Sequence, residues 1–215
     1  MTILSSDKNK KMNGSNISER IKTMAKELFF SYGLKSVSMD DLARLSGVSK
    51  KTIYQYYEDK DVLVHAVVMD KIQLHERLLS SCQSIANEAI DEILMWDTEL
   101  FGIWTDIHHS FFYEVEKYYP KTWLELEYYS LKMRNLIIGN LEWGKKEGLY
   151  RNDINIVLIA ELRMHQHISL LRSQLVTTQK LSTDRLAKEI TMLHLRSITT
   201  EKGKLLLDNY IKNDN

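Results

Sequence analysis

The sequence predicts an all-α fold, with an N-terminal three-helix module containing a helix-turn-helix and a larger helical body behind it. Three observations carry this. Apolar residues return at intervals of three and four along much of the chain. The 215 residues include one proline and eight glycines, few helix breakers for that length. The stretch Ser38–Tyr57, SMDDLARLSGVSKKTIYQYY, reads as two short helices joined by a tight turn.

Residues 1–15 are polar, with Lys8, Lys10 and Lys11 and no periodicity, and are expected to form a flexible arm. A helix follows from Asn16 or Ser18, because Ile21, Met24, Ala25, Leu28, Phe29 and Tyr32 share one face. Gly33 closes it. Ser38 and Asp41 form a capping-box start for the next helix, in which Leu42 and Leu45 share a face, and Gly47 supplies the positive φ that ends it. Ser49 then caps a helix over Lys50–Tyr57, with Ala43 small enough for a close crossing and Ile53 packing the second helix back on the first. The domain limits expected are therefore 16–59 for this module and 60–215 for the body.

Within the second helix, Lys50, Lys51 and Thr52 occupy the first turn and Tyr54, Gln55 and Tyr56 follow. Side chains and backbone amides at such a helix start meet phosphates and base edges, so this is the candidate double-stranded DNA reader, with Lys60 as a further phosphate contact. The formal net charge is zero, yet residues 1–60 hold 11 Lys and Arg against 7 Asp and Glu, and the remainder holds 18 against 22. A mildly basic end joined to a mildly acidic body suits that partner.

In the body, Asp59 caps a long helix from Lys60 past Leu79, carrying Val64, Val67, Val68 and Ile72. Another helix is expected from Ser84 to about Asp97, and one or two more from Thr98 to Tyr118. Pro120 biases Tyr119 out of the α region and itself suits the first turn of a helix from about Lys121 to Lys146. Gly148 turns the chain, Asn152 or Asp153 caps a helix through Ile154, Val157, Leu158, Leu162, Ile168 and Leu171, and another begins at Ser182, Thr183 or Asp184. TTEKGKLLLDNYIK makes a short terminal helix.

The order of these pieces, with FFSYGLKSVSMDDLARLSGVSKKTIYQYYEDKDVL at its centre, resembles the TetR family of bacterial transcription regulators over residues 18–65. The resemblance implies that Ser38, Lys50, Thr52, Tyr54, Tyr56 and Lys60 lie where the family contacts phosphates or bases. This chain departs from the usual pattern at Lys51, commonly glycine, at Gln55, commonly histidine, and at Tyr57, commonly phenylalanine. The resemblance also implies a homodimer through the helices near 153–171 and 184–197, and a small-molecule effector held in the body. Trp104, His108, Phe111, Trp123, Tyr128, Met133 and His165 are the candidate effector residues: aromatics with polar tips suit a mostly apolar cavity with a few orienting hydrogen bonds. A ligand of that cavity is expected to be apolar or aromatic. The implied action is repression relieved by the ligand; use of the same module in chromosome organisation or protein contact, without an effector, is the alternative.

Enzymatic function is not expected. The chain has no GxSxG, HExxH, phosphate-binding glycine loop or CxxC, so neither a catalytic nor a cofactor site is assigned. The pairs His108/His109 and His165/His167 point in different directions on a helix, and a metalloenzyme built on Glu161, His165 and His108 needs more ligands than the sequence places; no metal is assigned. Glu114/Glu116 and Glu125/Glu127 read as solvated positions. Cys82, the lone cysteine, reads as a buried small hydrophobe in a reducing compartment. With no apolar run of membrane-spanning length, the protein is expected in the cytoplasm and away from the membrane.

Overall fold

The computed structural model describes the backbone of residues 3–105, 107–172 and 183–213. Every regular element among them is helical, and one isolated antiparallel bridge joins Tyr150 and Thr199. The helices are α1 (Ile3–Tyr32), α2 (Met39–Ser46), α3 (Lys50–Tyr56), α4 (Lys60–Ile85), α5 (Ala89–Thr105), α6 (Phe111–Tyr118), α7 (Pro120–Lys146), α8 (Ile156–Arg172), α9 (Thr183–Ile198) and α10 (Glu201–Asn213). They fall into two compact units: residues 1–71 with 107–125, and 72–106 with 126–215. The unit holding the helix-turn-helix is thus larger than residues 16–59, since the start of α4, all of α6 and the start of α7 belong to it.

In the first unit the apolar stripe of α1 supplies Ile21, Ala25 and Phe29, all fully buried, and α2, α3 and α4 supply Leu42, Ile53 and Leu63. α2 starts as the sequence dictates. The Ser38 side chain accepts the Asp41 amide and the Asp41 carboxylate accepts the Ser38 amide, while Gly47 at φ 64 takes the left-handed position that ends the helix. Ser49 caps α3 by accepting the Thr52 amide at 3.0 Å. Tyr57 closes the module: its hydroxyl donates to the Ser18 carbonyl at 3.2 Å.

The second unit has its core in Leu79, Ile90, Ile93, Trp96, Leu141, Tyr150, Leu195 and Ile198, with Cys82 buried among them. Gly148 at φ 71 turns the chain out of α7. The Arg151 amide then donates to the Ile198 carbonyl at 2.8 Å and the Thr200 amide to the Leu149 carbonyl at 2.9 Å, which satisfies two ends of chain that no helix covers.

Several boundaries differ from expectation. α1 begins at Ile3 instead of Asn16 or Ser18, since residues 3–15 contain no proline to stop a helix extending backwards. α5 starts at Ala89, later than Ser84, because the Glu88 carboxylate accepts the Ile90 and Asp91 amides and fixes the first turn there. It runs on through Thr98 to Thr105 without a break. Leu45 is 47% exposed although Leu42 is fully buried: on so short a helix the apolar face is narrow.

Candidate functional site

α3 is presented by its caps and by one buried anchor. Ile53 is fully buried, whereas Lys51, Tyr54, Gln55 and Tyr56 are exposed, with Tyr54 at 44% and Tyr56 at 37%. Two large tyrosines left in solvent on a seven-residue helix are not core residues. Thr52 shares a hydrogen bond of 2.8 Å with the Ser49 hydroxyl, which ties it to the cap. Lys50 reaches back to Asp40 on α2 at 2.9 Å, and the pair is exposed. Its ammonium is held more basic than usual by that carboxylate. Ser38 is spent on the capping box, donating from its hydroxyl to Asp41 at 2.6 Å.

Lys60 reaches inward to the loop before α2. Its ammonium donates to the Leu34 carbonyl and, at 2.6 Å, to the Val37 carbonyl, and lies 5.6 Å from the Phe29 ring centroid. Burial lowers its pKa, opposed by Glu114 and Asp61. The long stem at the start of α4 reaches carbonyls of the α1–α2 loop that no helix satisfies.

Glu114 was expected in solvent and is 8% exposed. Its carboxylate accepts the Leu34 amide at 2.5 Å, the Lys35 amide at 2.9 Å and the Ser110 hydroxyl at 2.9 Å. Its position between Phe111 and Val115, on the face that packs inward, was the overlooked signal. Gly33 at φ 80 comes close to the same group: a Cβ there would sit 2.7 Å from the Ser110 hydroxyl.

The candidate effector residues are divided between the two units. Phe111 is fully buried in the first unit, edge-on to Phe30 at 5.1 Å. His108 bonds Ser110 at 2.9 Å there, and Trp123 is half-buried. Tyr128 is 69% exposed and His165 is exposed, because both fall on the outer faces of their helices. Glu161, named with them in the metal alternative, pairs with Arg134. No group of three or more potential metal ligands lies together among the described residues.

In the second unit Trp104 is buried beside His75 and Tyr129, with ring centroids 6.3 and 6.0 Å away, and the Tyr129 hydroxyl bonds His75 Nδ1. Tyr129 and Met133 line a cleft of about 480 Å³ between α4 and α7, crossed by a 2.6 Å ion pair from Lys132 to Glu76. The sequence reading missed the deeper polar groups. Arg163 on α8 is 6% exposed and donates to the Ile190 carbonyl at 3.2 Å and the Thr191 hydroxyl at 2.6 Å on α9. His167 and His194 beside it have pKa values lowered to about 3, first by burial and then by the Arg163 charge.

Residues 21–67 match the sequence model described as bacterial regulatory proteins, tetR family. Over those residues the chain carries that family's sequence pattern. Among its relatives is the Mycobacterium tuberculosis protein named as mycofactocin biosynthesis transcriptional regulator MftR, 37% identical over 49 residues, 23% of this chain and 25% of that one. The uncharacterized HTH-type transcriptional regulator YvaF of Bacillus subtilis is 28% identical over 121 residues, 54% of this chain and 62% of that one. The chain therefore matches less than two thirds of the length of either curated relative. A transcriptional regulator from Saccharomonospora viridis, solved in complex with choline, superposes with a TM-score of 0.74 over 87% of this chain and 100% of its own, at 18% identity. At that identity the likeness is one of fold. No described helix is long and apolar enough to cross a membrane.

Proposed function

We propose that the protein is a DNA-binding transcriptional regulator, a repressor that reads a near-palindromic operator as a homodimer and leaves it when a small molecule binds the second unit. The observation that carries this reading is the exposed surface of α3, where Lys51, Tyr54, Gln55 and Tyr56 stand in solvent on a helix anchored by Ile53 and capped at both ends. Such a helix offers cations and hydrogen-bonding rings to a major groove. Lys50 joins them once phosphate competes with Asp40.

Self-association is supported by α8 and α9. Val157, Leu158 and Leu162 on α8 and Leu193 on α9 are each more than half exposed. Large apolar side chains gathered on two helices near the end of a chain fit a two-fold contact between like surfaces. The two α3 helices of such a dimer would enter major grooves one helical turn apart, about 34–36 Å, or a multiple of it.

Selection of bound sequences from a random duplex pool tests the reading, followed by a salt titration on the winner. A two-fold-symmetric site whose affinity falls steeply with salt is expected. Scattered sequences without symmetry would sink the operator and the dimer together. Leu158→Glu with Leu193→Glu should give a monomer by light scattering and abolish the preference for paired half-sites.

A further inference from the structure

We infer that the protein also holds DNA outside the half-sites read by α3: Lys35, Lys117, Tyr113 and Tyr118, on the loop before α2 and on α6, meet the phosphates that flank the operator. The inference rests on the reading of the chain as an operator-binding regulator and adds a second contact surface to that of α3.

The surface has a fixed support. Glu114, buried on α6, accepts the backbone amides of Leu34 and Lys35 at 2.5 and 2.9 Å, so the loop and α6 hold one position relative to each other. Lys117 and Tyr118 lie one helical turn beyond Glu114. The Lys35 ammonium reaches to 5.8 Å from the Tyr118 ring centroid. The Lys117 ammonium is 5.4 Å from the centroids of both Tyr113 and Tyr118, and donates to the Tyr113 hydroxyl at 3.0 Å. Both lysines are exposed, and so are the rings, Tyr113 at 56% and Tyr118 at 43%.

No carboxylate answers these cations. The groups that hold Lys117 more basic than usual are the Tyr113 and Tyr118 hydroxyls, and neither lysine forms an ion pair among the described residues. A tyrosine oxygen that accepts from an ammonium keeps its own O–H to donate, and an ammonium has three N–H groups of which Tyr113 takes one. A lysine in the last turn of a helix also steadies the carbonyl end of that helix. That role accounts for Lys117 alone, and leaves Lys35 and the two solvent-facing rings beside it without a purpose.

The place of the surface selects its partner. Lys35 lies three residues before Ser38, the N-cap of α2, and so within about 10 Å of it along the chain. In a helix-turn-helix the first helix crosses the phosphate backbone while the second enters the major groove. The cationic surface thus stands beside the end of the module that meets the backbone. Duplex DNA carries one negative charge for about every 1.7 Å of its axis, so a duplex that continues past the half-site presents phosphates there. Ammonium groups and tyrosine hydroxyls bind phosphate oxygens without reading sequence, which is the chemistry of a flank.

The test uses the purified full chain and the operator selected from the random duplex pool, in two lengths. One duplex ends at the outer edges of the half-sites, and the other continues for about ten base pairs on each side. The longer duplex should bind about three- to tenfold more tightly at about 0.1 M salt. Lys35→Gln and Lys117→Gln should each remove much of that gain and lower the salt slope on the longer duplex by about 1 per protomer. Both should leave the affinity for the shorter duplex and the urea midpoint unchanged. Lys146→Gln, at an exposed lysine of the second unit, should keep the full gain. Hydroxyl-radical footprinting should show protection outside the half-sites that the Lys35→Gln, Lys117→Gln double variant loses. No gain from the flanks in the parent, or the same gain in both lysine variants, overturns the inference and leaves operator binding by α3 standing. Failure to select any operator sinks the reading beneath it. The surface is then tried on an unrelated duplex of about 40 base pairs, where the double variant should still bind more weakly than the parent and equal binding overturns the inference as well.

Discussion

The carboxylate of Glu114 accepts the backbone amide of Leu34 at 2.5 Å, across 80 residues of sequence. From the other side, the Lys60 ammonium takes the carbonyls of Leu34 and Val37. The loop before α2 thus has amides and carbonyls satisfied by one anion and one cation, and α6 becomes part of the unit that presents α3. Neither residue sits on the exposed surface of α3, yet both set the loop from which α2 starts.

Lys60 and Lys51 should therefore separate cleanly. Lys60→Met is expected to cost about 1–3 kcal/mol in urea denaturation, by leaving two carbonyls without their donor, and to leave the slope of log affinity against log salt unchanged. Lys51→Ala should leave stability within about 0.5 kcal/mol and reduce that slope by about 1. A slope reduced equally by Lys60→Met would show that the lysine leaves the loop and meets phosphate. Glu114→Ala should destabilise like Lys60→Met, and the double variant should fall short of the sum because both act on one loop.

The exposed pair of Lys50 with Asp40, 2.9 Å apart, holds a cation away from DNA until phosphate competes for it. Asp40→Asn should tighten binding to an unrelated duplex by a factor of about two to five at low salt, the scale of one surface ion pair. Adding Lys50→Ala should cancel the gain. An Asp40→Asn variant that binds no more tightly than the parent would place Lys50 outside the phosphate path.

The helix-turn-helix was legible because each of its parts is locally determined. Ser38, Asp41, Gly47 and Ser49 fix their turns through bonds within four residues, so the pattern alone places α2 and α3. Glu114 was misread, and the loop contacts of Lys60 went unread, for the opposite reason. Their partners lie 23 to 80 residues away, and a lone charge on a helix gives no sign of which distant backbone it will meet. The same holds for Arg163, which meets the Ile190 carbonyl and the Thr191 hydroxyl only because α8 lies against α9. Aromatic richness between residues 96 and 143 marked the body as a place for large rings, but Tyr128 points outward while Tyr129 points in, and one residue of helical register decides that.

Gly144 is required by the ring of Tyr150. A Cβ at 144 would lie 2.1 Å from the ring, and Tyr150 is 1% exposed with its hydroxyl donating to the Ala89 carbonyl at 3.1 Å and to Asn140 Oδ1 at 3.2 Å. Gly144→Ala should cost at least about 2 kcal/mol by overpacking, and Tyr150→Phe about 1–2 kcal/mol through the lost hydroxyl. Gly144→Ala should cost much less in a Tyr150→Ala background, where the ring is gone. Strict additivity of that pair in denaturant unfolding would contradict the close packing.

Acid should destabilise the second unit before carboxylates dominate. His167 and His194 have pKa values of about 3 in the folded chain, against an ordinary value of 6.5, because burial and the Arg163 charge oppose protonation. The folded state thus binds fewer protons than the unfolded one, so stability is full above about pH 6.5 and is lost as pH falls toward 3, at up to about 1.4 kcal/mol per pH unit for each histidine. Between pH 6.5 and 5 these two groups should give the main part of the slope. His194→Gln removes one of them, and denaturation curves at half-unit steps should then lose about half of the slope in that window. A His194→Gln slope equal to that of the parent would mean that the imidazole is solvated in the folded chain.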